Sequence, residues 1–130
     1  MIGIVIVAHG GLASEYLSAV EHVVGTQTGI RAIAIEADHD RVSKELEICS
    51  AADGVDCGDG VVVVTDLFGS SPSNLSLSAC RHKNRQIIYG ANLPMLIKLA
   101  KSRHKPLAVA VELALQTGKK YIASRVFEVG

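Results

Sequence analysis

The stretch that most constrains the fold is residues 2–8, a run without a single polar side chain. Its residues are mainly β-branched, which predicts a strand buried on both faces, as in a parallel sheet. His9 follows directly, and Gly10 and Gly11 then free the backbone for a sharp turn into a helical pattern. Ligands of open α/β sheets bind at the carboxyl ends of the strands. The sequence therefore predicts that His9 lies at a ligand-binding edge.

A second wholly apolar strand, residues 60–65, ends in the same way at an ionisable residue, Asp66. Two continuous apolar strands are expected at the centre of a sheet, and strand–helix–strand crossovers are right-handed in nearly all proteins. These two rules predict the strand order 2-1-3-4. His9 and Asp66 then end neighbouring strands, where the direction of winding changes.

The remaining segments complete an α/β prediction for a single domain over residues 1–130. Shorter strands are predicted at 30–36 and 86–89 on either side of the central pair, with helices between the strands. Residues 121–126 alternate weakly and are predicted to form a fifth, C-terminal strand. The whole is predicted to be an open, doubly wound sheet of four parallel strands flanked by helices. Because unpaired sheet edges are a liability, the C-terminal strand is expected to be exchanged in a dimer, and a strand that folds back onto its own sheet in a monomer is the alternative.

Local signals place the helix ends. Ser71 is predicted to cap a helix whose first turn contains Pro72, and that helix is expected to continue to Cys80. The last helix is predicted to run from Pro106 and to stop at Gly118.

Composition excludes several classes of function. The formal net charge is zero, which argues against a nucleic-acid-binding protein, and no apolar run approaches the length of a membrane span. We expect a cytoplasmic protein without membrane insertion. The net charge of zero conceals an asymmetry, because residues 1–66 are strongly acidic and residues 67–130 are strongly basic. This pattern indicates ordinary solvated helix faces or a bipolar surface that steers a charged partner.

The chemistry that these residues suggest is nucleophilic. Neutral imidazole has a lone pair on one nitrogen, and a carboxylate bonded to the other nitrogen fixes the tautomer. Helix N-termini bind phosphate oxygens through their free N–H groups, and two helices are predicted to begin after Gly11 and Ser71. A nucleophilic His9, an orienting Asp66 and two helix starts fit a phosphohistidine site. Taken alone, His9 and Asp66 are equally compatible with turn and helix-capping residues.

Three segments together carry a resemblance to a known family. Residues 4–10, 65–74 and 89–96, in this order, are similar to motifs of the mannose-type enzyme IIA domain of the sugar phosphotransferase system. The resemblance covers the whole chain and agrees with the family in length. It implies a single IIA domain, with no enzyme IIB domain fused within residues 1–130.

The resemblance also implies a mechanism. In this family the carrier protein HPr phosphorylates the histidine after the first strand, and the phosphoryl group passes to a histidine of enzyme IIB. His9 falls at the phosphorylated position and Asp66 at that of its aspartate partner. Gly10, Gly11, Ser70 and Ser71 are the expected phosphate-stabilising residues, and neither a cofactor nor a metal is expected. The family forms homodimers in which a C-terminal strand joins the partner's sheet.

The sequence departs from the family pattern at two positions, and three other functions are compatible with it. The family often has glycine at Ser70 and a larger residue at Ser73, which affects details of the phosphate loop or of IIB docking. A phosphocarrier subunit of dihydroxyacetone kinase would share the fold and the histidine. A chelatase-like enzyme would need a second metal-facing histidine, for which His39 is the candidate, although an exposed capping residue is expected there. A regulator read through its phosphorylation state at His9 would use the same chemistry.

Overall fold

A computed structural model describes residues 1–67, 69–81 and 84–128 of the chain. Its strands are β1 Gly3–His9, β2 Ile30–Ile35, β3 Val61–Thr65 and β4 Arg85–Ile88. Its helices are α1 Leu12–Val24, α2 Arg41–Val55, α3 Ser71–Ser76, α4 Leu93–Lys101 and α5 Leu107–Lys120, with a short 3₁₀ turn at Ser78–Cys80.

The four strands form one parallel sheet in the order β2-β1-β3-β4. This confirms the predicted order and the central position of the two apolar strands. In β1 only His9 is exposed, and every residue of β3 is buried. The two strands are in register from Gly3 opposite Val61 to Val7 opposite Thr65. Their carboxyl ends therefore stop side by side at one edge.

Helices cover both faces of the sheet because alternate residues of each strand point to opposite sides. Ile4, Ile6 and Ala8 of β1 pack in one core with side chains of α1, α4 and α5. Val5 and Val7 pack in a second core with side chains of α2 and α3. The continuous apolar pattern of β1 is thus explained by burial on both faces.

The acidic and basic halves of the chain meet within the fold, where Arg85 of β4 pairs with Asp53 and Asp56 at 2.8 and 3.1 Å. One edge strand, β2, belongs to the acidic first half of the chain, and the other, β4, belongs to the basic second half. Lys98, Lys101, Lys119 and Lys120 lie in the last turns of α4 and α5, where cations interact favourably with the carbonyl end of a helix.

Three predicted helix boundaries are wrong. Ser70, in an extended conformation, is the N-cap of α3, whereas Ser71 is its first residue, and α3 ends at Ser76 before the 3₁₀ turn. Helix α5 runs through Gly118 to Lys120. The glycine permits close packing there, because a Cβ at Gly118 would lie 3.1 Å from the Cβ of Met95. Gly118 therefore marks a helix contact and not a helix end.

The predicted fifth strand does not form within the single chain. Residues 122–128 have no regular secondary structure, and Ile122, Val126 and Phe127 are 74%, 87% and 77% exposed. Strand exchange with a second copy stays a prediction. Among the described residues, no helix has both the length and the apolar character needed to cross a membrane.

A glycine in β1 provides a test of the packing under the sheet. A Cβ at Gly3 would lie 2.6 Å from Cγ2 of Val55 at the end of α2. We expect Gly3→Ala to lower the free energy of unfolding by about 1–3 kcal/mol, the usual cost of overpacking. Urea titration followed by circular dichroism measures this.

The matched control is Gly54→Ala, one residue away from Val55. Gly54 is helical and a Cβ there meets nothing within 4 Å. Alanine is the better helix former by about 1 kcal/mol, so this variant should be as stable as the wild type or more stable. Equal effects of the two substitutions would contradict the assigned packing.

Candidate functional site

The centre of the candidate site is the contact between the two residues that end the central strands. Nδ1 of His9 lies 2.8 Å from Oδ2 of Asp66. The same carboxylate oxygen accepts a hydrogen bond of 3.1 Å from the backbone N–H of His9. The structure therefore brings together the two residues that the sequence singled out as nucleophile and orienting group.

This geometry fixes the tautomer of His9. A carboxylate oxygen only accepts hydrogen bonds, so Nδ1 carries the proton and Nε2 of the neutral ring keeps its lone pair. The side chain of His9 is 52% exposed, whereas that of Asp66 is 11% exposed. The imidazole can thus meet a reactant while its orienting carboxylate stays within the protein.

The second oxygen of Asp66 is more constrained. Oδ1 is buried and accepts no hydrogen bond from the described residues. An amide in place of this carboxylate has no good orientation. Its NH₂ group would lie either in that buried position or against the His9 backbone N–H, which is also a donor. An amide at position 66 would therefore leave at least one N–H donor without an acceptor among the described residues.

The turn after β1 follows from its glycines. Gly10 has φ +55°, a left-handed conformation that glycine adopts readily, and its N–H donates to the Ile35 carbonyl at 3.0 Å. Gly11 is the N-cap of α1. Because the chain enters α1 at once, His9 stands at the start of a 13-residue helix.

A pocket of about 420 Å³ opens beside the imidazole, and we call it the His9 pocket. Its lining residues come from the ends of β1 and β2, the loop after β2 and the start of α3: His9, Gly10, Ile35, Glu36, Ala37, His39 and Ser71. The volume is far above the roughly 30 Å³ that one water occupies in the liquid. A phosphoryl group would fit beside the ring.

The four predicted phosphate-stabilising residues lie close to this pocket in different ways. Gly10 and Ser71 line it, and Gly11 begins the adjacent helix. The hydroxyl of Ser70 donates to the carbonyl of Leu67 and so closes its own turn. Phosphate binding by any of the four stays a prediction.

The segment around residues 89–96 supports the edge of the sheet on which the site lies. The N–H of Ala91 donates to the Thr65 carbonyl at 3.0 Å, which ties this loop to the residue before Asp66. The side chain of Asn92 caps α4 by accepting from the N–H of Met95 at 3.0 Å. The third motif of the sequence thus has a structural role at the same edge of the sheet.

Sequence reasoning missed Tyr16, which joins this support. Its hydroxyl donates to the carbonyl of Ala91 at 3.1 Å. Burial, and then the negative charge of Asp66, raise the pKa of Tyr16, so the phenol stays protonated and remains a donor at neutral pH. In the sequence, Tyr16 belongs to the apolar pattern of α1, and that pattern indicates only that the residue packs in the core.

His39 differs from its expected place. The N-cap of α2 is Asp40, whose carboxylate accepts from the N–H of Ser43, and His39 is half-buried in the His9 pocket. Across residues 1–67, 69–81 and 84–128, no three His, Cys, Asp or Glu side chains are grouped so that they could hold a metal ion. His39 therefore lies near His9 without completing a metal site.

Comparison with known proteins places the chain in a family. The sequence profile described as the PTS system fructose IIA component, EIIA-man, matches residues 3–113. The chain belongs to the EIIA-man family of the phosphotransferase system. This confirms the resemblance to mannose-type enzyme IIA domains. Membership of this family supports a phosphocarrier role in sugar transport.

Individual relatives agree. The name of YadI from Escherichia coli (strain K12) describes it as a phosphotransferase enzyme IIA component. The chain is 30% identical to YadI over 104 residues, and the match covers 79% of this chain and 71% of YadI. It is 27% identical over 122 residues to the mannose-specific EIIAB component of the same strain, covering 92% of this chain but 38% of that protein. The crystal structure of component EIIA from Streptococcus agalactiae superposes with a TM-score of 0.85 at 25% identity, covering 95% and 97% of the two chains.

Proposed function

We propose that the protein accepts a phosphoryl group from phospho-HPr on Nε2 of His9 and passes it to a histidine of enzyme IIB. The observation that carries this proposal is the 2.8 Å contact between Nδ1 of His9 and the sheltered carboxylate of Asp66. It leaves Nε2 as the nucleophilic nitrogen of a half-exposed ring. The phosphoryl group would serve sugar transport or phosphorylation-dependent regulation, because both use the same chemistry at His9.

In the first transfer, the lone pair of Nε2 forms a bond to phosphorus while the bond between phosphorus and the HPr histidine breaks. The electron pair of the broken bond returns to the HPr imidazole. His9 gains positive charge as the new bond forms, and the Asp66 carboxylate stabilises that charge through Nδ1–H. The second transfer is the same step with His9 as leaving group and the IIB imidazole as nucleophile.

Backbone groups are proposed to hold the phosphoryl oxygens. The first turn of α1 begins directly after Gly10 and Gly11, and free N–H groups at the start of a helix favour anions. Ser71 also lines the His9 pocket, and Ser70 shapes the turn that leads to it. Such positioning and electrostatic stabilisation supply most of the catalysis in phosphoryl transfer.

His9→Ala tests the phosphorylated residue. The variant should fold normally, since the exposed ring packs in neither core, but it should accept no phosphoryl group. Incubation with enzyme I, HPr and phosphoenolpyruvate, followed by mass spectrometry, measures this. His22→Ala on the exposed surface of α1 is the matched control and should be labelled like the wild type. Acid-labile label persisting in His9→Ala would refute the assignment.

Asp66→Asn tests the orienting role. The amide oxygen can accept both hydrogen bonds from His9 only if its NH₂ group takes the buried position of Oδ1, where it has no acceptor. The population of the Nδ1–H tautomer should therefore fall. We expect transfer from phospho-HPr to slow by roughly 10²–10⁴-fold, the usual cost of mispositioning such a group. Rapid-quench kinetics gives the rate, and ¹⁵N NMR of His9 gives the tautomer. A wild-type rate in this variant would rule the role out.

We further infer that the protein is a homodimer built through its C-terminal segment. Residues 122–128 leave the end of α5 with exposed apolar side chains at Ile122, Val126 and Phe127. The sheet has two edge strands, β2 and β4, whose unpaired main-chain groups favour the addition of another strand. Pairing with a second copy would satisfy both features, in agreement with the family resemblance.

A variant that ends at Lys120 tests the dimer. The wild type should have the mass of a dimer at micromolar concentration by light scattering, and the shortened chain should be a monomer or aggregate through its open edge. Phosphorylation of His9 should survive in the soluble fraction, because His9 and Asp66 lie on one chain. A monomeric wild type would refute the dimer and leave the phosphocarrier proposal intact.

A further inference from the structure

The His9 pocket is lined by a second imidazole, that of His39. His39 lies four residues after β2 ends at Ile35, and β2 pairs with β1 so that Ile35 is opposite His9. The chain after β2 therefore returns to the same edge of the sheet as His9. His39 is half-buried and lines the pocket together with His9.

A hydrogen bond fixes the orientation of the His39 ring. Nδ1 lies 2.8 Å from the carbonyl oxygen of Glu36. A carbonyl only accepts, so Nδ1 carries a proton and donates it. Nε2 is the remaining nitrogen, and no described residue forms a hydrogen bond with it. When the ring takes a second proton, Nε2–H becomes a charged donor.

The charges around His39 favour such a donor once phosphate arrives. On its own loop the charged neighbours are Glu36, Asp38 and Asp40, and hydrogen bonds from Ser43 lower the pKa of Asp40, which stays anionic. The cations at the start of α2, Arg41 and Lys44, are paired with Glu45 and Glu47. From β1 and the end of β3, the titratable groups are His9 and Asp66, whereas α3 contributes only the neutral Ser71. A phosphoryl dianion on His9 would add negative charge to this set.

We propose that His39 is a phosphoryl-contacting residue of this site, with Nε2–H donating a hydrogen bond to a non-bridging oxygen of the phosphoryl group on His9. The inference rests on the proposed phosphorylation of His9. His39 forms and breaks no covalent bond. It stabilises the phosphorylated protein relative to the unphosphorylated protein. It therefore determines what fraction of the protein the donor phosphorylates at equilibrium.

The first test observes His39 directly. ¹⁵N NMR of the protonated fraction of the His39 ring is compared before and after phosphorylation by phospho-HPr, or by potassium phosphoramidate as a protein-free donor. The protonated fraction near neutral pH should rise severalfold, because an added anion at hydrogen-bond distance favours the charged ring. His22 is the internal control and should not change. An unchanged His39 in fully phosphorylated protein would overturn the proposal.

The second test uses two amides that imitate different ends of the ring. His39→Asn can keep the bond to the Glu36 carbonyl but does not reach the position of Nε2. His39→Gln places an N–H near that position. The equilibrium constant for transfer from phospho-HPr should fall by about three- to tenfold in His39→Asn, the range for a partly exposed bond to a charged group. His39→Gln should recover most of this loss.

The pH profile separates a phosphoryl contact from a purely structural role. The difference in the transfer equilibrium constant between wild type and His39→Asn should disappear as pH rises, because neutral His39 loses its Nε2–H. The gap between His39→Gln and His39→Asn should be independent of pH, since an amide does not titrate. Equal equilibrium constants for all three proteins, or a glutamine as poor as asparagine, would overturn the contact.

The two proposals fail in different ways. If neither phospho-HPr nor phosphoramidate labels His9, the phosphocarrier function fails and the role of His39 falls with it. If His9 is labelled normally while His39 neither changes protonation nor affects the equilibrium, only the role of His39 is refuted.

Discussion

The parallel pairing of β1 with β3 is the constraint on which the site depends. Each strand is buried on both faces, so each must lie inside the sheet, and their register places their carboxyl ends side by side. His9 ends one strand and Asp66 follows the other. The contact between them therefore needs no long loop to arrange it, because Asp66 is the first residue after β3.

This constraint explains why so much could be predicted from the sequence. Unbroken runs of β-branched residues identify interior strands, and the right-handed crossover rule then leaves one order for the four strands. The same reasoning places His9 beside Asp66, because chemistry-bearing residues at the ends of adjacent interior strands must share an edge. The resemblance to the family supplied the proposed donor and acceptor of the phosphoryl group, which geometry alone does not give.

What the sequence did not predict depends on contacts between distant residues. Gly118 resembles a helix stop locally, but its lack of a side chain serves packing against Met95 on another helix. Tyr16 has the spacing of a core residue, and its bond to Ala91 joins segments 75 positions apart. His39 was expected at an exposed helix cap, and its place in the His9 pocket depends on how the loop after β2 turns. The C-terminal segment, residues 122–128, pairs with no strand among the described residues, so its structure depends on what it meets.

Asp66 also belongs to the sheet as much as to the chemistry. Its Oδ2 accepts the backbone N–H of His9, the last residue of β1, in addition to the imidazole. The carboxylate thus ends the hydrogen-bond ladder between the two central strands, whatever side chain stands at position 9. A descendant of this protein that stopped carrying phosphate could exchange the histidine ring freely but would still need an acceptor at position 66. In lineages where the activity has decayed, the aspartate should therefore outlast the histidine.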